Sequence, residues 1–249
     1  MTTPTGNRRP IRHGRKKNIM TRLQTIAMAA GLAGVLAVAA GVPAQANEQQ
    51  GLVDKARITL ESFANDKQMG PFREQLKKAK GVFVVPQLLK AGFIIGGSGG
   101  SGVLLGRDSK AGDWTQPAFY TMGAGSVGFQ IGAEAAEVVL LLMNEKGLNA
   151  VLSTNLKLGA DVSIAAGPLG QGVAAGTTTN LRADVLAFSR TKGLFAGAAL
   201  EGAVLANRDE WNKNYYGQPV TATDIIIRRN VSNPGTDGLR SILARAAGT

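Results

Sequence analysis

The order of hydrophobic patterns predicts an α+β fold: N-terminal helices packed on a strongly curved, largely antiparallel, Gly-rich sheet that forms a partial barrel, with a short C-terminal helix. Three observations predict it. Two segments of helical periodicity come first, and many strand-like runs follow without alternating βα units. Of the 33 glycines, 28 lie beyond residue 46, most of them inside strand-like runs, where glycine permits bulges, close backbone approach and sharp bending. A last segment, Asp237 to Ala246, places Leu239, Ile242, Leu243 and Ala246 at helical spacing.

Residues 1–46 read as an address. Arg8, Arg9, Arg12, Arg15, Lys16, Lys17 and Arg22 precede the apolar run Leu23–Ala40, and Pro43-Ala44-Gln45-Ala46 follows. Basic region, apolar run and small-x-small end make a secretory signal peptide. The run is near the length that spans a bilayer, but Ala44-x-Ala46 favours cleavage, and Met20 is a second candidate start. The expectation is an exported chain, periplasmic or secreted, soluble from Asn47 onward, with residues 47–249 as a single domain.

Within that domain Asn47–Ala64 is a helix, with Val53, Ala56, Leu60 and Phe63 on one face. Gly70-Pro71 opens a second, in which Phe72, Leu76 and Ala79 recur at i, i+4 and i+7 and Gly81 is the stop. Val82–Val85 is a short strand ended by Pro86. Phe93–Ile95 runs through Gly96–Gly102 into Val103–Leu105, and Asp108–Asp113 is a turn-rich loop. Phe119–Ala133 alternates as a strand, Val138–Met143 is a fully apolar one, and Asn144–Ser153 is a short helix. Leu158–Ala166, Ala183–Ser189 and Leu194–Leu205 are further strands.

Composition removes several chemistries. There is no cysteine, and the one histidine, His13, lies in the address segment. Cys/His zinc sites, His-ligated haem, a Ser-His-Asp triad and a His general base are therefore excluded from residues 47–249. The net charge of +11 suggests nucleic acid, but seven of the 28 basic residues and none of the 17 acidic ones fall in residues 1–46, leaving 21 against 17. No nucleic-acid partner is expected.

Gly97-x-Gly99-x-x-Gly102 matches a dinucleotide fingerprint, yet three apolar residues and a turn follow where a helix must begin. Gly96-x-Ser98-x-Gly100 matches a nucleophile elbow without a histidine base, and Ser189-x-x-Lys192 lacks the companion motifs of Ser-Lys hydrolases. Glu134, Glu137, Asp161, Asp184 and Glu201 supply carboxylates, but no spacing fixes a glycosidase pair or an oxygen-ligand metal site. The chain is read as non-enzymatic, with no cofactor, no metal and no catalytic residue.

The positive feature is charge placement. Arg73, Lys77, Lys78, Lys80 and Lys90 stand against one acid, Glu74, a net of +4 that equals the excess of the whole domain. Arg73, Lys77 and Lys80 recur at i, i+4 and i+7 opposite the apolar stripe. A basic helix face beside an apolar stripe is the pattern of anionic-surface binding, and equally of a solvated helix face.

Several motifs in order carry a resemblance. They are Ala79-Lys80-Gly81-Val82-Phe83-Val84-Val85-Pro86, Lys90-Ala91-Gly92-Phe93-Ile94-Ile95-Gly96-Gly97, Trp114-Thr115-Gln116-Pro117-Ala118-Phe119-Tyr120, Ser126-Val127-Gly128-Phe129-Gln130-Ile131-Gly132-Ala133 and Ser189-Arg190-Thr191-Lys192-Gly193-Leu194-Phe195-Ala196-Gly197. Together they resemble the SYLF domain family, in its secreted bacterial branch, from about Gly51 to Ile227. The resemblance implies a non-enzymatic lipid-binding domain; eukaryotic members bind phosphoinositides, and some fungal members bind actin. Lys80 and Lys90 match family positions. The expected function is binding of anionic phospholipid headgroups or membrane surfaces through Arg73, Lys77, Lys78, Lys80 and Lys90. Phe63, Phe72 and Leu76 serve either as apolar lipid contacts or as core. The alternative is a structural or protein-interaction domain of the cell envelope with an unknown protein partner; an exported protein is not expected to meet actin.

Overall fold

Helical periodicity at the start of the domain becomes helix α1, Ala44–Asn65, and α2, Gly70–Leu76, joined by a 3-10 turn at Lys67–Met69. The structure is a computed structural model, and it describes residues 1–2, 44–92, 95–108, 111–127, 132–153, 155–167, 182–190 and 200–248. The predicted signal segment lies almost wholly outside the described residues. All elements named here belong to the unit Pro43–Thr249.

Among the described residues eight strands follow: β1 Gly81–Gly92, β2 Ile95–Gly106, β3 Ala118–Val127, β4 Gly132–Leu142, β5 Asn155–Lys157, β6 Ile164–Ala166, β7 Val185–Arg190 and β8 Val204–Asn207. They form one sheet in the order β5-β8-β3-β2-β1-β4-β7-β6. Every pairing is antiparallel except β6 with β7. Helix α3, Glu145–Val151, follows β4; α4, Asp209–Tyr216, follows β8; a π-helical turn, Asp224–Arg228, and α5, Asp237–Ala247, complete the chain.

Side chains alternate across a strand, so the central strands β1 to β4 and β7 feed two cores. On the outer face Val82, Val84, Val103, Leu105, Phe119, Val139 and Leu141 meet Val53, Leu60 and Phe63 of α1, Phe72 and Leu76 of α2, and Leu239 and Leu243 of α5. On the inner face Phe83, Val85, Leu104, Tyr120 and Leu140 meet Leu148 and Val151 of α3. Leu156 of β5 and Val185 of β7, near opposite ends of the strand order, share that inner cluster. They do so because the sheet curls strongly into a half-barrel. Each fully buried aliphatic or aromatic side chain contributes about 1.5–3 kcal/mol. Edge-to-face contacts of Phe72 with Phe63 at 5.5 Å and with Phe188 at 5.3 Å tie α1, α2 and β7 together. Phe63, Phe72 and Leu76 are fully buried, so they are core rather than surface anchors.

Several boundaries differ from the periodicity. β1 does not end at Pro86 but runs on to Gly92. Its register slips by one residue against both neighbours between Val84 and Leu89, and proline is tolerated at such a bulge because the ladder is already interrupted there. The alternating run Phe119–Ala133 is two strands, β3 and β4. Leu158–Ala166 shrinks to β6, with a lone bridge between Leu158 and Val162. Leu194–Leu205 is strand only from Val204 among the described residues. Helix α4 and the π-turn are additional to the elements predicted from the sequence. Gly96–Gly102 lies inside β2, so no helix N-terminus follows the dinucleotide-like spacing.

Candidate anion-binding cleft

The second helix stops earlier than its sequence period. Lys77 is its C-cap: its amide donates to Arg73 O at 3.3 Å, and the next amide, of Lys78, donates to Gln75 O at 3.0 Å. Lys78 and Ala79 turn, and Ala79 is buried. The Lys80 amide donates to Leu142 O at 2.7 Å, which begins the β1–β4 ladder. Lys77, Lys78 and Lys80 therefore leave the helix and gather on the connection between α2 and β1 instead of lining one helical face.

Arg107 closes the cluster, and sequence reasoning missed it. It follows Gly106 at the end of β2, beside Gly81 at the start of β1. Its amide donates to Lys80 O at 2.8 Å. Its Nη1 donates to Lys77 O at 2.6 Å and its Nε to Gly112 O at 3.3 Å, while the guanidinium lies 5.7 Å from the Trp114 ring. The signal available was the Gly106-Arg107-Asp108 turn, whose partner strand no local pattern identifies. The loop back to β3 is held by Asp108: its Oδ1 accepts from Ala111 N at 2.9 Å, and its carbonyl accepts from Gly112 N at 3.0 Å. Gly112 has φ of 79°, a conformation in which glycine alone avoids strain.

The result is an open cleft of about 320 Å³ lined by Lys77, Lys78, Ala79, Lys80, Arg107, Asp108, Ala111 and Gly112. Four cations face one carboxylate in the lining. Lys77 Nζ also lies 2.8 Å from Glu74, and Lys80 Nζ lies 3.6 Å from Glu145. The hydrogen bond from Lys77 holds the Glu74 carboxyl below its usual range. These exposed pairs are weak. The cleft offers ammonium and guanidinium donors to an anion and no nucleophile or paired acid.

The other two predicted residues stand elsewhere. Arg73 Nη1 donates to Ala64 O at 2.9 Å and Asp66 O at 2.8 Å, capping the end of α1. Lys90 sits in β1 opposite Ser98 and Glu134, about 30 Å along the strand from Lys80 at ~3.3 Å per residue.

The carboxylates are likewise dispersed. Glu137 accepts from Thr59 Oγ1 at 3.0 Å and lies 3.8 Å from Arg190. Asp161 accepts from Lys157 N at 2.7 Å, and Glu201 is exposed. Asp184 is buried and bonded to Lys146, Asn144 and Ser163. Lys192, of the Ser-x-x-Lys spacing, lies outside the described residues. Among the described residues no group of three or more His, Cys, Asp or Glu is placed to hold a metal, and no helix is long and apolar enough to cross a membrane.

Comparison with known proteins gives the sequence its relatives. Residues 123–246 match a family model, Ysc84, described as "Las17-binding protein actin regulator". The chain is 36% identical over 188 residues to Protein YSC84 of Saccharomyces cerevisiae, covering 74% of this chain and 39% of that one. It is 35% identical over the same length to LAS seventeen-binding protein 3 of that yeast. With SH3 domain-containing YSC84-like protein 1 of Rattus norvegicus it shares 36% identity over 152 residues, 61% of this chain and 44% of the relative. The chain thus spans about two fifths of the length of the relatives it matches.

Proposed function

Since this chain belongs to the Ysc84 (SYLF) domain family, we propose that it works by binding rather than catalysis, and that its ligand is the anionic headgroup layer of a phospholipid membrane. The observation that carries the proposal is the cleft where the end of α2, the start of β1 and the end of β2 bring Lys77, Lys78, Lys80 and Arg107 together. Each basic residue near an anionic bilayer contributes about 1 kcal/mol, so three lysines and an arginine supply a modest, reversible, salt-sensitive affinity. In keeping with the address-like residues 1–46, the proposal includes export: a mature chain starting at Asn47 loses only Ala44–Ala46 from α1. Intact mass of exported protein checks this; a species retaining Leu23–Ala40 would contradict it.

The test of binding is flotation with vesicles. The mature protein is expected to float with phosphatidylglycerol-containing vesicles and to stay behind with pure phosphatidylcholine. Binding should weaken between 0.1 M and 1 M salt, as the Debye length falls from ~10 Å to ~3 Å. Failure to float with either vesicle type overturns the proposal. The second reading, a protein-interaction domain, is favoured by the relatives named for binding Las17 and takes over in that case.

A further inference from the structure

We infer that the turn Ile225–Arg229 is a membrane anchor, in which Ile227 enters the acyl layer of an anionic bilayer while Arg228 and Arg229 contact its phosphates. The inference rests on the anionic-surface reading above and adds to it an apolar contact and a second pair of cations that sequence reasoning did not single out.

The three consecutive isoleucines have opposite fates. Ile225 and Ile226 are buried in the inner core at 0% and 2% exposure, while Ile227 is 52% exposed. One exposed aliphatic side chain is ordinary on a protein surface; its setting is not. Ile227 lies in a π-helical turn, a rare geometry found disproportionately at functional sites. The turn ends on Arg229, held at φ 53° and ψ 38°, in the left-handed region that non-glycine residues seldom occupy.

The surrounding contacts fix this turn rigidly. Asp224 Oδ2 accepts from the amide and hydroxyl of Thr221 at 2.9 and 2.7 Å, and its Oδ1 accepts from Arg228 Nη1 at 2.6 Å. Arg229 Nη1 lies 3.0 Å from Oδ2 of Asp108, a residue of the cleft. Behind the turn, a Cβ on Gly106 would stand 2.6 Å from Ile226 Cγ2, so the turn seats directly on the glycine that precedes Arg107. The apolar side chain and its two arginines are thereby coupled to the strand end that builds the cleft.

Charge complementarity selects the occupant. Arg228 is 69% exposed and Arg229 34% exposed, both beside an aliphatic tip, and each is paired with one carboxylate, Asp224 or Asp108, from which a lipid phosphate must draw it. Cations flanking an exposed apolar residue match an interface that is anionic outside and hydrocarbon beneath. An acidic protein surface would use the arginines but leave Ile227 without its apolar layer.

The absence of cysteine makes a site-specific probe straightforward. Ile227→Cys carrying an environment-sensitive nitrobenzoxadiazole label is mixed with phosphatidylglycerol/phosphatidylcholine vesicles. The expected result is a blue shift and at least a twofold rise in emission, quenched by doxyl groups on the acyl chains. The label at Ile58→Cys, another exposed aliphatic position, is the comparison. Unlabelled Ile227→Ser, checked for folding by circular dichroism, should bind about tenfold more weakly with its salt dependence intact, because only apolar burial is lost. If wild type floats with these vesicles while the label at 227 stays in water, or only the label at 58 responds, the anchor is overturned and the anionic-surface reading stands. If wild type does not float, both fall.

Discussion

Asp184 is 7% exposed, yet its carboxylate is fully served. It accepts from Asn144 Nδ2 at 2.9 Å, Lys146 Nζ at 2.9 Å, and the amide and hydroxyl of Ser163 at 3.0 and 2.9 Å. Burial pushes its pKa up, but these donors together outweigh burial and hold it well below the usual carboxylate range. The bonds tie the N-cap of α3 to the β6–β7 edge. Asp184→Ala leaves donors unpaired and should cost about 1–3 kcal/mol for each that stays dry. A folded pKa below the unfolded one means that the contribution is fully present above about pH 4 and is lost as pH falls below it. Urea midpoints for wild type and variant should therefore differ at pH 6 and converge toward pH 2. A gap that stays constant would show that packing, not charge, accounts for the loss.

The glycine-rich strand β2 shows what its composition is for at the scale of an element. A Cβ on Gly102 would stand 2.7 Å from Phe83 Cζ and from Val84 O, and one on Gly100 would stand 2.5 Å from Gln87 O, at the bulge of β1. On the other face, a Cβ on Gly99 meets nothing closer than 3.9 Å, and across the ladder one on Gly125 of β3 meets nothing within 4 Å. Gly102→Ala should destabilise by about 1–3 kcal/mol through overpacking, whereas Gly125→Ala should stay within about 0.5 kcal/mol. Thermal melts of the two single variants decide this; equal losses would mean that the glycines serve flexibility and not close packing.

The same element shows how far sequence reasoning reaches. Helical spacing identified α1 and α5 because Val53, Ala56, Leu60 and Phe63, and later Leu239, Ile242 and Leu243, keep one buried stripe. The abundance of glycine pointed to a curved sheet. The bulge at Pro86 was hidden, because proline reads locally as a strand end and only two flanking partners reveal that the strand continues. The cleft was half visible: Lys77, Lys78 and Lys80 are neighbours in the chain, but Arg107 reaches them only through the β1–β2 pairing. Arg73 was grouped with them by period, yet its guanidinium turns to the carbonyls of Ala64 and Asp66, a choice set by where α1 ends.

At the scale of the whole molecule, the proposed binding surface is a set of strand and helix ends at one end of β1 and β2. Neutralising Lys77, Lys78 and Lys80 together touches no core residue, and glutamine avoids placing new negative charge beside Glu74 and Glu145. The most direct measurement is the affinity of this triple variant, Lys77→Gln, Lys78→Gln and Lys80→Gln, for phosphatidylglycerol-containing vesicles, with circular dichroism confirming the fold. Losing three cations at about 1 kcal/mol each predicts a drop of roughly a hundredfold and a shallower salt dependence than wild type. A folded triple variant that binds these vesicles as tightly as wild type, with the same response to salt, would contradict the account.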